Sequence, residues 1–314
     1  MRKHLLLATL LLAVGLTPAL GQNRITYKSA KSGSSYYQMA VQISEAIKNG
    51  SDGGLLVTVE ESQGSVQNVK EAPRRGGSFV FTSPPSLVGR AMAGEEPFDD
   101  NADYRGLRGL FPIPSLTMHF VVRADAGIEG WADLAGKDFI IGKGSFGARK
   151  AAATFEAFGV GDSINLVDVE LNAAVPALKN RQVHGFATAG SYPAPNVMEA
   201  AASTDIRLLS MDETQLEQAG GARLVIPAGT YPGVDEDTTT VSLPVGAYTL
   251  AAMDEETAYR IVEIFWAGQS AMAETNPWWG GVTPEMLATL AAPLHPGALR
   301  YYQEAGVEVP EHLR

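Results

Sequence analysis

Three short turns carry the residues best suited to holding an anion. Ser32-Gly33-Ser34-Ser35 precedes a helix-like stretch from Tyr36, and Ser62-Gln63-Gly64-Ser65 precedes one from near Val66. Gly142-Lys143-Gly144-Ser145 precedes a third, from near Gly147. A helix N-terminus offers unpaired backbone N–H groups and the positive end of the macrodipole, so each turn can seat a carboxylate or phosphate. Ser and Gly are also ordinary N-cap residues, and one such turn alone reads as a plain cap. Three at the carboxyl ends of successive strands are more telling, because open α/β sheets bind ligands there.

The third turn admits a different chemistry. Gly142-Lys143-Gly144-Ser145-Phe146-Gly147 matches G-x-G-x-x-G, follows a strand and opens a helix. Asp168 and Glu170 end the next strand, about where a ribose-binding acid belongs. An exported NAD(P)-dependent oxidoreductase is therefore the alternative reading. Against it, the motif sits mid-chain, no His, Lys or Tyr constellation marks a hydride-transfer site, and a chain with 33 Gly meets the pattern by chance. Other enzyme signatures are missing: there is no G-x-S-x-G, S-x-x-K, H-E-x-x-H or P-loop. With no Cys there is neither a disulfide nor a thiolate ligand or nucleophile. His119 lies in an apolar strand and His295 between Leu294 and Pro296. Both read as packed or capping groups rather than metal ligands, and Trp278-Trp279 reads as packing. The expectation is a binder, not an enzyme, with no cofactor and no metal.

The elements that position these turns alternate. Ile25–Tyr27, Leu55–Glu60 and Ser78–Thr82 read as strands, each followed by a helix-like stretch, and Thr117–Arg123 is a further strand. A second block runs through Phe139–Ile141, a helix from Gly147 to Phe158, Asn165–Val169, a helix near Ala173–Asn180, Gly185–Ala189 and Arg207–Leu209. Ile226–Gly233 reads as a connection, Thr238–Leu243 as a strand and Glu255–Ala273 as a long helix. Such alternation predicts an α/β fold with mainly parallel sheets and helices on both faces.

Composition sets the compartment. Arg2 and Lys3, the apolar run Leu5–Leu16 and the small-residue exit Ala19-Leu20-Gly21 predict a cleaved secretory signal over 1–21 and a mature start near Gln22. The remainder is long enough for two domains of about 100–200 residues each. The chain carries 24 basic and 35 acidic side chains, and cleavage makes its net charge of −11 two more negative. That balance opposes nucleic acid or an anionic membrane as a partner, yet leaves room for a small anion held by local groups.

Read in order, several segments resemble the TAXI family, the TRAP-associated extracytoplasmic immunogenic solute-binding proteins. They are Ser34-Ser35-Tyr36-Tyr37, Ser62-Gln63-Gly64-Ser65-Val66-Gln67-Asn68 and Trp131-Ala132-Asp133-Leu134-Ala135-Gly136-Lys137. Gly185-Phe186-Ala187 with Pro193-Ala194-Pro195, Ile226 through Gly233, and Leu294-His295-Pro296-Gly297 on to Tyr302 complete the set. The resemblance implies a two-lobe type II periplasmic-binding-protein fold with a ligand cleft between the lobes. Lobe one would span 22–123 plus 229–314 and lobe two 124–228, with the hinge near Arg123–Ala124 and Ala228–Thr230. It further implies delivery of a small organic acid, such as 2-oxoglutarate or glutamate, to a TRAP membrane permease.

The candidate ligand contacts follow turn by turn. Ser34, Ser35 and Tyr36 come from the first turn, and Ser62, Gly64, Ser65 and Asn68 from the second. Thr82 and Ser83 end the third strand. Ser145, Phe146, Gly147 and Arg149 belong to the Gly-rich turn, and Tyr192, Thr230 and Tyr231 complete the set. Two departures from the family pattern bear on the ligand. Ser145-Phe146-Gly147-Ala148 stands where relatives read G-S-G-T, with Arg149 where an acid is common. Thr82-Ser83-Pro84-Pro85 stands where Q-S-D is common. Loss of an acid at Pro84 removes a partner for a ligand ammonium and favours an acid without an amine. Arg149, beside the positive end of its helix, is the expected carboxylate clamp, with Phe146 as an apolar wall.

Overall fold

The computed structural model describes residues 23–314. The leader expected over 1–21 lies outside the described residues. The first strand–turn–helix unit is β1 (Asn23–Lys28) and α1 (Ser35–Gly50), where the Ser34 hydroxyl accepts from Tyr37 N. Tyr36, Met39, Ala40, Ile43 and Ile47 recur at helical spacing and are buried, so one face of α1 packs on the sheet. Then follow β2 (Leu55–Glu60), α2 (Ser65–Glu71), β3 (Phe79–Ser83), α3 (Pro85–Ala93) and the 17-residue β4 (Leu107–Arg123). The second block is β5 (Asp138–Ile140), α4 (Phe146–Ala157), β6 (Asn165–Leu166), α5 (Ala174–Lys179), β7 (Gly185–Gly190) and α6 (Pro195–Ser203). After β8 (Ile206–Leu208), α7 (Glu213–Ala219) and β9 (Ala222–Ile226), the chain returns through β10 (Thr238–Leu250) to α8 (Glu255–Thr275) and α9 (Pro296–Glu304).

The strands make one ten-stranded sheet in the order β2-β1-β3-β10-β4-β7-β5-β6, with β8 paired to β4 and β9 to β10. This corrects the expectation of mainly parallel sheets. β1 with β2 and β3, and β5 with β6 and β7, are parallel. Every ladder made by β4 and β10 is antiparallel. These two strands belong to both halves of the sheet. Residues 107–117 of β4 pair with β10, and 117–122 pair with β7. β10 pairs with β9 over 238–242 and with β3 over 246–248, with a register shift between Leu243 and Val245.

A large core runs through the β1–β3 half and along β4, and a second surrounds β7, α5 and α6. Helix α8 closes the first half, stacking Phe265 on Phe111 with ring centroids 3.8 Å apart. Trp279 is fully buried and donates from Nε1 to Gln42 Oε1 at 2.8 Å, a packing role. His295 caps α9, accepting from Gly297 N through Nδ1 at 3.2 Å, while Nε2 donates to Met253 O at 3.0 Å. The Leu294–Tyr302 motif is thus a helix start locked against α8. No helix among the described residues is long and apolar enough to cross a membrane.

Candidate functional site

Five helices begin just beyond the carboxyl ends of strands on one edge of the sheet: α1 after β1, α2 after β2, α3 after β3, α4 after β5 and α6 after β7. Their first turns meet around a cavity of about 210 Å³. Its β1–β3 side is lined by Lys31, Ser32, Gly33, Ser34 and Tyr36, by Gln63, Gly64 and Ser65, and by Thr82 and Pro84. The opposite side brings Lys143, Ser145, Phe146, Gly147 and Ala148. Glu170, Leu171, Asn172 and Val175 add a second wall there, and Thr188, Ala189, Asn196 and Glu199 a third. Leu116 of β4 and Val245 of β10 form the floor between the halves.

The two halves touch across this cavity. Gly64, in a left-handed conformation at φ +118, brings its backbone against Ser145: a Cβ there would sit 3.3 Å from Ser145 Cβ. With its amide oriented to satisfy both atoms, Gln63 donates to Glu170 Oε2 at 3.0 Å and accepts from Lys31 Nζ at 3.1 Å. One side chain thereby joins a cation of one half to a carboxylate of the other.

The turns are held from below by a frame of hydrogen bonds. The Ser145 hydroxyl accepts from Ala148 N at 3.0 Å and caps α4. Ser62 Oγ donates to Ser29 O and accepts from Gly64 N, which fixes the second turn. Asn68, fully buried, donates from Nδ2 to Ser29 O and Thr82 O and ties the ends of β1 and β3 together. Beneath them Lys28 is buried between Glu60 and Glu71, at 2.7 and 2.8 Å. Burial alone would lower its pKa, but the hydrogen bonds and charges of the two carboxylates prevail and hold it above the ordinary lysine range.

The sequence-derived candidates therefore divide. Ser34, Tyr36, Gly64, Ser65, Thr82, Ser145, Phe146 and Gly147 line the cavity. Ser62 and Asn68 lie behind it as supports. Ser35 is buried beside Gly190, and Ser83 is buried with its hydroxyl turned to Pro84 O. Tyr192 packs on the second core, Thr230 is half-buried and donates to Pro227 O, and Tyr231 is buried against His119. Arg149 is exposed on α4, away from the cavity lining and outside every ion pair found among the described residues. Arg149→Ala should therefore bind any ligand within about two-fold of the parent, about 0.4 kcal/mol, as read by titration calorimetry. A ten-fold loss would return Arg149 to the site.

Lys31, Gln63, Glu170, Asn172, Thr188, Asn196 and Glu199 are cavity residues that sequence reasoning missed. Glu170 enters that reading only as a ribose acid. Its companion there, Asp168, is exposed and paired with Lys143 Nζ at 3.0 Å. Gly147 has a purely local reason, since a Cβ on it would lie 2.6 Å from Ala189 Cβ. The glycine lets α4 lie close on β7, while Gly142 and Gly144 take the left-handed backbone of the turn, at φ +78 and +63.

The chain has the fold of periplasmic binding proteins. It is similar to the periplasmic binding protein BugD at 14% identity, over 91% of this chain and 99% of that one, with a TM-score of 0.55. It is similar to MatC from Rhodopseudomonas palustris, solved with bound malate, at 11% identity over 90% and 97%, with a TM-score of 0.59. A periplasmic transporter structure matches at 12% identity over 90% and 92%, with a TM-score of 0.53. The mixed α/β sheet is accordingly of the type II binding-protein class, and the oxidoreductase alternative finds no support in these likenesses. The NMT1-like family profile matches residues 28–306, nearly all of the described chain, and the protein belongs to that family.

Proposed function

We propose that this protein is the exported substrate-binding subunit of a TRAP-type transporter. It captures a small organic acid and delivers it to a membrane permease, as the TAXI resemblance implies. One observation carries the capture step: the first turns of α1, α2 and α4, drawn from both halves of the sheet, converge on one cavity. Each N-terminus stabilises a nearby anion by about 0.3–1 kcal/mol when exposed, and by up to ~2 kcal/mol when partly buried. Acting together they favour an anion without an arginine clamp. The cavity lies below the ~300–1,000 Å³ of drug-sized pockets, which suits a metabolite.

The lobes are the two halves of the sheet. The connections at 123–124 and 228–230 bound the second lobe along the chain. The bend itself we place inside β4 near residues 113–117 and inside β10 near 243–245, where both strands change partners. Closure would then bring Gln63 to Glu170 and Gly64 to Ser145, the contacts described above.

Thermal denaturation with a panel of small carboxylates tests the reading. A ligand at one hundred times its Kd stabilises the native state by about 2.7 kcal/mol. At least one carboxylate should do so, whereas NAD and NADP should leave the transition unmoved. Mass spectrometry of ligand released from natively purified protein should then identify an acid of the same class. Stabilisation by a nicotinamide dinucleotide with a substrate-dependent absorbance change would overturn the proposal.

A further inference from the structure

The walls of the cavity distinguish one kind of organic acid from another. The lining includes a set of aliphatic and aromatic side chains, Leu116, Ile141, Phe146, Leu171, Val175 and Val245, that face it from both halves, with the neutral polar groups of Asn172, Thr188 and Asn196 beside them. It contains no arginine, and its basic side chains are Lys31 and Lys143. Lys143 is paired with Asp168, and Lys31 faces the Gln63 carbonyl. Against these stand Glu170 and Glu199, so the lining carries no net formal charge. Its anion-seating capacity lies at the converging helix starts and at Lys31, beside the first of them.

Resting on the reading of the site as a carboxylate binder, we infer that its ligand is a monocarboxylate with an apolar body, and that dicarboxylates are rejected. One carboxylate is met by the backbone donors of α1, α2 and α4. A second, at the far end of the ligand, would lie against Leu171 and Val175, where the nearby Lys143 is already paired with Asp168. Burying an unpaired carboxylate is costly, and Glu170 and Glu199 on the same side add like-charge repulsion. An alkyl or aryl group at that position instead removes apolar surface from water on both sides. Discrimination of this kind works through the penalty on the wrong ligand as much as through contacts to the right one.

The test pairs acids of equal chain length on the full mature protein, stripped of endogenous ligand by unfolding and refolding. Hexanoate is compared with adipate, and branched and aryl monocarboxylates with malate and 2-oxoglutarate, by titration calorimetry. The best monocarboxylate should bind at least ten-fold tighter than any dicarboxylate. Leu171→Arg, which places a guanidinium on the apolar wall, should shift that ratio at least ten-fold towards the dicarboxylates. Its thermal denaturation reports that it still folds. If malate, 2-oxoglutarate or adipate equals or exceeds every monocarboxylate, the inference fails while the carboxylate-binding reading stands. If no carboxylate of either kind binds, that reading fails and takes the inference with it.

Discussion

Gly147→Val is expected to destabilise the chain by about 1–3 kcal/mol and to weaken ligand binding by ten-fold or more. Even a single carbon at this position would lie 2.6 Å from Ala189 Cβ, a methyl with no rotamer by which to retreat. Relief requires α4 to rise from β7. That movement carries Ser145 and Phe146 away from Gly64, and the donors of α4 away from those of α1 and α2. A mere packing fault would reduce stability alone; here the same displacement would also dismantle the proposed anion seat. Urea denaturation and calorimetry on one preparation separate the two effects. Gly147→Ala combined with Ala189→Gly should recover most of both losses, because the second change reopens the space. A Gly147→Val protein that binds within two-fold of the parent would refute this account.

A comparably large effect is expected from His119 as the pH falls. His119 is buried in β4, with Nδ1 donating to Thr117 O at 3.1 Å and Nε2 accepting from the Tyr231 hydroxyl at 2.8 Å. The same Tyr231 oxygen accepts from Ala194 N at 2.8 Å, so one relay ties the 227–237 connection to the start of α6. Burial disfavours the imidazolium and lowers the His119 pKa from 6.5 to about 4, against a small opposing pull from Thr117 O. The unfolded chain therefore takes up a proton at higher pH than the native one does. The stability this histidine contributes is fully present above about pH 6.5 and is lost as the pH falls to about 4. It amounts to about 3 kcal/mol for a shift of that size. Urea denaturation across this range should show the parent losing stability more steeply than His119→Gln, which cannot titrate. The carboxylates, common to both chains, cancel in the difference. Parallel curves would remove His119 as the cause.

What the sequence reveals of the site is its local part. The three Gly/Ser turns are legible because a cap residue, a helical apolar stripe and a preceding strand all lie within about twenty residues of one another. Glu170, Thr188, Asn196 and Glu199 carry no such signature; only the pairing of β5 with β7 and the seating of α5 and α6 bring them to the cavity. Ser62 and Asn68 have the residue types of ligand contacts, yet Ser62 Oγ and Asn68 Nδ2 are used within the frame. The strands divide similarly. β2 shows a continuous β-branched and aliphatic run, whereas the first part of β4 holds Pro112 and Pro114, which remove ladder donors and obscure a strand. β9 is short, largely exposed at the sheet margin and runs into the Pro/Gly-rich stretch, so its pattern is weak. The antiparallel character of the centre is missed because β10 inserts between β3 and β4 from far along the chain.

The passage of β4 and β10 side by side from one half of the sheet to the other has a mechanical meaning. Two hydrogen-bonded strands resist sliding past each other, since that would break the ladder between them, while bending and twisting leave it intact. They bend readily about an axis lying in the sheet and across the strands. In the closure proposed above, the halves would move about this two-ply spine without sliding past each other. A body so restrained has less freedom to lose when a bridging molecule arrests it, which would lower the entropic cost of the proposed capture.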